Sequence, residues 1–356
     1  VYTVAHRRAL DTIRRERSRV QRQESAHVEL TNRELDELDR RAERWHSGVD
    51  DDRLRLIFTC CHPALVLPAR IALTLRSVAW LTTEEIAHAF GVSTATMAQR
   101  IVRAKQRIKA AGTPYRVPVG HELPDRLDGV LRVVYLVFNE AYLSRRSGEP
   151  LRVDLAEEAI RLGRELDELM PDEPEVGGLL ALMLVQHARS PARFDAAGEL
   201  VVLEDQDRSL WTCELIGEGS TILETARRRG SVGPYQVQAA IAALHRQAAP
   251  FADPDWPQIV ALYGVLAEAD PSPVIRLNEA VAIGFANGPA AGLAALDAVD
   301  AERLPQPHLL HAARGELLAR SGDASSAAPE FERALELGGS ETERRHRVRR
   351  RDASGG

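Results

Sequence analysis

The sequence predicts an all-α chain: a helix-turn-helix DNA-binding domain followed by an α-helical repeat domain. Three observations carry this. Residues 81–108 read as two helices around a glycine turn, the second of them basic. Downstream, apolar residues recur at helical spacing between Gly and Pro punctuation, and no β period stands out. Near the C-terminus, paired residues recur 34 positions apart.

Within residues 81–108, Thr82 or Thr83 can cap a short helix carrying Ile86, Ala87 and Phe90. Gly91 suits the left-handed end of that helix. Ser93 can cap the next one, whose Met97, Ile101, Ala104 and Ile108 form an apolar stripe. The other face carries Thr94, Thr96, Gln99, Arg100, Arg103, Lys105, Arg107 and Lys109, and from 94 to 112 there is no Asp or Glu. Such a helix fits a major groove, its first turns toward base edges and its cations toward phosphates. A solvated basic face would look similar, but the two caps and the missing acids favour DNA.

The net charge of -6 hides an asymmetry. Residues 1–112 hold 20 Lys/Arg against 14 Asp/Glu, whereas residues 113–340 hold 20 against 35. A basic head on an acidic body implies that only the head meets nucleic acid. Three cysteines make no paired disulfide framework, and no apolar run reaches membrane-spanning length. A cytoplasmic chain without signal peptide or membrane contact is the expectation.

The domains follow in order. Residues 1–22 read as an arginine-rich helix with nothing in its own segment to cover its apolar side. Residues 23–49 are an acidic linker. Residues 50–112 form a compact helical unit: 50–52 are three aspartates that suit the start of a helix over 53–61, a second helix covers 69–78, and the helix-turn-helix follows. Residues 113–124, with three prolines, are a linker. Residues 125–340 are a helical extension with tetratricopeptide-like repeats, clearest over 274–338, where Ile275/Leu309, Ile283/Leu317, Gly288/Gly322 and Ala294/Ala328 share the 34-residue period. One helix is expected over 207–229, and residues 341–356 are expected to be a disordered tail.

Two clusters invite chemistry and are read as structural. Vicinal Cys60 and Cys61 with His62 lack the spacer of a zinc knuckle, so packing is expected, without metal or cofactor. Asn139-Glu140 and Glu204-Asp205-Asp207 have no nucleophile or phosphate loop beside them, so no enzyme is expected.

Residues 50–112 resemble region four, the promoter-binding domain of extracytoplasmic-function sigma factors. The resemblance rests on Glu84-Glu85-Ile86-Ala87, Gly91-Val92-Ser93 and the basic helix over 96–108. Residues 1–19 resemble the last helix of that family's region two. The whole chain is similar to the subgroup with a tetratricopeptide-like extension, through Phe58-Thr-Cys-Cys-His-Pro-Ala-Leu65, Phe138-Asn-Glu-Ala-Tyr142, Asp172-Glu-Pro-Glu-Val176, Leu203-Glu-Asp-Gln-Asp-Arg208, Gly233-Pro-Tyr-Gln236 and Leu309-Leu-His-Ala-Ala313.

The resemblance implies promoter DNA and core RNA polymerase as partners, with the extension regulating the chain through a partner or intramolecularly. It implies that the helix from Thr94, with Thr96, enters the major groove of the minus-thirty-five element, with Ala98, Gln99 and Arg103 nearest the base edges and Arg100, Lys105 and Arg107 on phosphates. His6, Arg7, Arg8 and Arg14 would act near the minus-ten element. Complete members begin with about three more helices, so the chain is expected to be truncated within region two, which bears on polymerase docking. A regulator that binds DNA without the polymerase, and a repeat-based interaction scaffold, remain open alternatives.

Overall fold

The computed structural model describes residues 50–90, 92–113, 115–118, 120–143, 153–247 and 254–355. The expected helix over 1–22 and linker over 23–49 lie outside the described residues. Two compact units divide the chain, Val1–Leu136 and Val137–Gly356. The described residues are helical, with no strand among them and one isolated bridge between Phe194 and Leu200.

The first unit contains α1 (Asp50–Cys60), α2 (Leu67–Ser77), α3 (Thr83–Ala89), α4 (Thr94–Ala110) and the start of α5 (Leu123–Leu143). Phe58, Leu75, Ile86, Met97 and Ile101 are fully buried and make its centre, and Val130 and Val133 of α5 are equally covered. Where α1 ends, Arg126 Nη2 donates to the Phe58 carbonyl at 2.7 Å, supplying a cation to a helix C-terminus. Pro68 sits in the first turn of α2, where its missing N–H costs no helical bond. Trp80 joins α2 to α3 at φ 59°, a left-handed backbone that a bulky residue rarely adopts.

The second unit is a run of helices, most of them packed on their neighbours in sequence, whereas the helix Pro234–Gln247 packs chiefly on the helix Pro174–His187, two earlier in the chain. They are α6 (Val153–Leu169), α7 (Pro174–His187), α8 (Cys213–Arg228), α9 (Pro234–Gln247), α10 (Trp256–Ala269), α11 (Pro273–Asn287), α12 (Pro289–Asp297), α13 (His308–Arg320), α14 (Ala324–Leu337) and α15 (Glu341–Gly355). Every residue of α7 from Val176 to Val185 is buried, so this helix is covered on all sides rather than along one stripe. The 34-residue spacing corresponds to repeated helix pairs. Gly288 follows α11 at φ 94° and Gly322 follows α13 at φ 83°, so the equivalent turns need the same left-handed residue. At the α11–α12 crossing, a Cβ on Gly292 would lie 2.6 Å from Gly284 Cα, which only glycine allows.

Two expectations are corrected here. The helix expected over 207–229 is instead a 3-10 turn, Arg208–Leu210, followed by α8. Asp207 accepts from the Ser209 N–H at 2.9 Å and holds the turn, and Trp211 then turns inward at 6% exposure. The tail expected to be disordered over 341–356 forms α15, which packs on α14. Its periodicity gives no apolar stripe because arginines do the docking. Arg344 Nη1 donates to the Leu335 carbonyl at 2.5 Å and Arg347 Nη1 to the Gly338 carbonyl at 2.8 Å, together capping α14. Ser340 and Glu343 form a reciprocal capping box at the start of α15, with Ser340 N–H to Glu343 Oε2 at 2.8 Å.

Candidate nucleic-acid interface

Local caps set the geometry of the helix-turn-helix. Thr82 caps α3, and Glu85 three residues later reaches back: the Thr82 N–H donates to Glu85 Oε2 at 2.7 Å and the Glu85 N–H to Thr82 Oγ1 at 3.1 Å. These bonds hold the Glu85 carboxyl below its ordinary pKa. The chain then reverses, with the Val92 N–H returning to the Ala87 carbonyl at 3.0 Å. Ser93 caps α4 by accepting from the Thr96 N–H at 3.2 Å.

α4 has two unlike faces. Met97, Ala98, Ile101 and Ala104 are buried, and the helix packs on α2 and α3. Thr96, Gln99, Arg103, Gln106 and Arg107 are exposed, and Thr94, Arg100 and Lys105 are half-buried. Among the described residues, no ion pair engages Arg100, Arg103 or Arg107 on this acid-free helix. The second unit differs: there Arg161, Arg164, Arg227, Arg228 and Arg276 are each held by a glutamate. Unneutralised guanidinium groups on one exposed helix face can take phosphate or a guanine edge.

The structure revises the expected residue set. Ala98 is 1% exposed and belongs to the core, because positions 94, 97, 98, 101 and 104 share the inward side of a 3.6-residue helix. It cannot reach a base. The Thr96 hydroxyl lies 2.8 Å from Ser93 Oγ and is shared with the cap. Lys105 is half-buried, and its charge acts on the Cys60 thiol. Gln106 had escaped sequence reading. It sits seven residues after Gln99 and three after Arg103, a spacing that puts it on the exposed stripe and that the sequence alone could have supplied. His6, Arg7, Arg8 and Arg14 lie outside the described residues.

Cys60 and Cys61 are each 2% exposed. Burial pushes both thiols up, Cys61 to about 11, so both pack as neutral thiols at neutral pH. The Ala64 N–H donates to His62 Nδ1 at 3.1 Å, and burial lowers the pKa of that imidazole. Among the described residues, no group of three or more His, Cys, Asp and Glu is placed to hold a metal ion. None of the described helices is long and apolar enough to cross a membrane.

Residues 55–108 match the family model of sigma-70 region 4, and residues 126–227 match a family of unknown function, DUF6596. The first match runs from the middle of α1 to near the end of α4, so this helical segment is similar to the helix-turn-helix domain of sigma factors. The chain belongs to the same family as an uncharacterized protein of Rhizobium meliloti (strain 1021), to which it is 48% identical over 287 residues, or 81% of this chain and 68% of the relative. Among solved structures, the human IFIT1 dimer with PPP-AAAA is similar over 82% of this chain and 73% of that one, at 13% identity and a TM-score of 0.30.

Proposed function

We propose that the chain is a sigma factor of the extracytoplasmic-function type with a tetratricopeptide-like C-terminal extension. In this reading it directs core RNA polymerase to a set of promoters, α4 enters the major groove of the minus-thirty-five element, and the helical extension regulates the outcome. The chain binds and positions and performs no catalysis of its own. The observation that supports the reading best is the exposed face of α4 where Arg100, Arg103 and Arg107 make no ion pair among the described residues, held at a doubly capped helix-turn-helix within the sigma-70 region 4 match. Gln99, Arg103 and Gln106 offer side chains able to read base edges, with Arg100 and Arg107 beside them for phosphates.

Run-off transcription with purified core polymerase tests the proposal, using this chain and a version extended upstream in frame. Promoter-dependent transcript is expected. Specific DNA binding by both forms without transcript from either would reverse the proposal in favour of a regulator that acts without the polymerase. Absence of both activities would favour an interaction scaffold.

A further inference from the structure

The second unit holds a cavity of about 820 Å³ bordered by α10, α11, α13 and α15, with residues 200–205 along one side. That volume lies within the ~300–1,000 Å³ usual for small-molecule sites. Tyr263, Leu277, Val281, Leu309 and Leu317 give it apolar walls. Its charged groups mostly satisfy one another. Arg320 pairs with Glu204 while its guanidinium lies 4.5 Å over the Phe285 ring. Arg350 grips Glu316 with two bonds, of 2.8 and 2.6 Å. Glu343 is committed to the Ser340 cap.

Arg347 is the most loosely held. It lines the cavity at 4% exposure, far inside the range where arginine is ordinarily paired. One N–H goes to the Gly338 carbonyl, and Glu343 is 3.9 Å away. A guanidinium has five N–H groups, so most of its capacity is unspent. Burial lowers its pKa from the ordinary arginine value, a cost that an anion would offset.

We propose that this cavity binds a monoanionic amphiphile, an organic acid whose carboxylate takes Arg347 and whose hydrocarbon body lies along Leu277, Val281 and Leu309. A single charge is specified because Arg347 is the most loosely paired of the lining arginines, its nearest carboxylate Glu343 standing 3.9 Å away and held by the Ser340 cap, and Asp205, Glu204, Glu316 and Glu343 would repel a dianion more strongly than a monoanion. A hydrocarbon body is specified because the walls beyond Arg347 are apolar. Both α15 and residues 200–205 border the cavity, so occupancy would brace them. The proposal goes beyond promoter binding and stands independently of it.

Titration calorimetry and thermal melting of the full chain test it, with sodium octanoate as probe and octanol as its uncharged counterpart. Saturable octanoate binding with a raised melting temperature is expected, and octanol should bind about tenfold more weakly or less. Arg347→Met should remove that difference. Because Arg347 also caps α14, Val281→Trp provides a second test: it fills the cavity from α11 and should abolish binding of both probes. Equal binding of octanoate and octanol, no saturable binding of either, or octanoate binding that survives Val281→Trp would overturn the proposal.

Discussion

Replacing Glu175 should unsettle the second unit from a single carboxylate. Glu175 stands in the first turn of α7, yet it serves the start of α9. Its Oε2 accepts from the Tyr235 N–H at 2.9 Å, and its Oε1 accepts from the Gln236 N–H and the Gln236 Nε2, both at 3.1 Å. Pro234 opens α9, so these are first-turn N–H groups with no helical acceptor, and the anion also meets the positive end of the helix dipole. Gly233 makes room, since a Cβ there would lie 2.3 Å from the Glu175 carboxyl carbon. Gln236 is 3% exposed, so water cannot easily replace the lost acceptor. At about 1 kcal/mol per bond, Glu175→Ala should cost about 3 kcal/mol. At ~2–4 °C per kcal/mol for a unit of this size, melting should fall by about 6–12 °C. Glu175→Gln keeps an acceptor and loses the charge, so it should cost about half as much. Urea and thermal unfolding followed by circular dichroism would measure both. A Glu175→Ala change within about 0.5 kcal/mol of wild type, or a Gln variant as damaging as the Ala one, would refute the capping argument.

Arg103→Ala should weaken binding to the preferred promoter sequence by about 1–3 kcal/mol and relax base preference; an equal loss on random DNA in gel-shift titrations would make Arg103 a phosphate contact instead. Gly292→Ala should destabilise the second unit by about 1–3 kcal/mol in urea, because the new Cβ must displace the backbone of α11; a neutral result would mean that α11 and α12 move apart freely. His245 is pushed down to about 4, by burial first and then by Arg189 and Arg208. Its unfolded value is near 6.5, so between those values the unfolded chain binds the proton and the folded chain does not. Stability should therefore be flat above pH ~6.5 and fall as pH drops toward ~4. His187, His308 and His346 shift in the same direction and add to the slope. Melting across that window should show a shallower acid loss for His245→Phe, and an unchanged slope would overturn the assignment.

The helix-turn-helix was legible because its determinants are local. Ser93 and one of the two candidate caps, Thr82, act on backbone N–H groups three residues away, as their positions indicate, and the structure adds Glu85 reaching back to the Thr82 N–H. The 34-residue spacing of Gly288 and Gly322 was legible too, and the structure adds that both take a positive φ. The limits of the exposed stripe on α4 were less so. Apolar periodicity placed Met97 and Ile101 inward, but Ala98 is small enough to suit either environment, and only its burial beneath the neighbouring helices excludes it from the exposed face.

The sequence by itself determined the all-α class, the capped helix-turn-helix, the basic face of α4 and the repeat period, since each is written in residues at most a few turns or one repeat apart. Tertiary structure alone decided the rest. It brought the landmark around Glu175 to the one around Gly233, some 60 residues apart, and it docked an arginine-rich tail as α15 through carbonyl caps and the Arg350–Glu316 pair. Arginine and glutamate read as solvated in a sequence, and they become structural only where a distant helix end or an opposite charge is already in place to receive them.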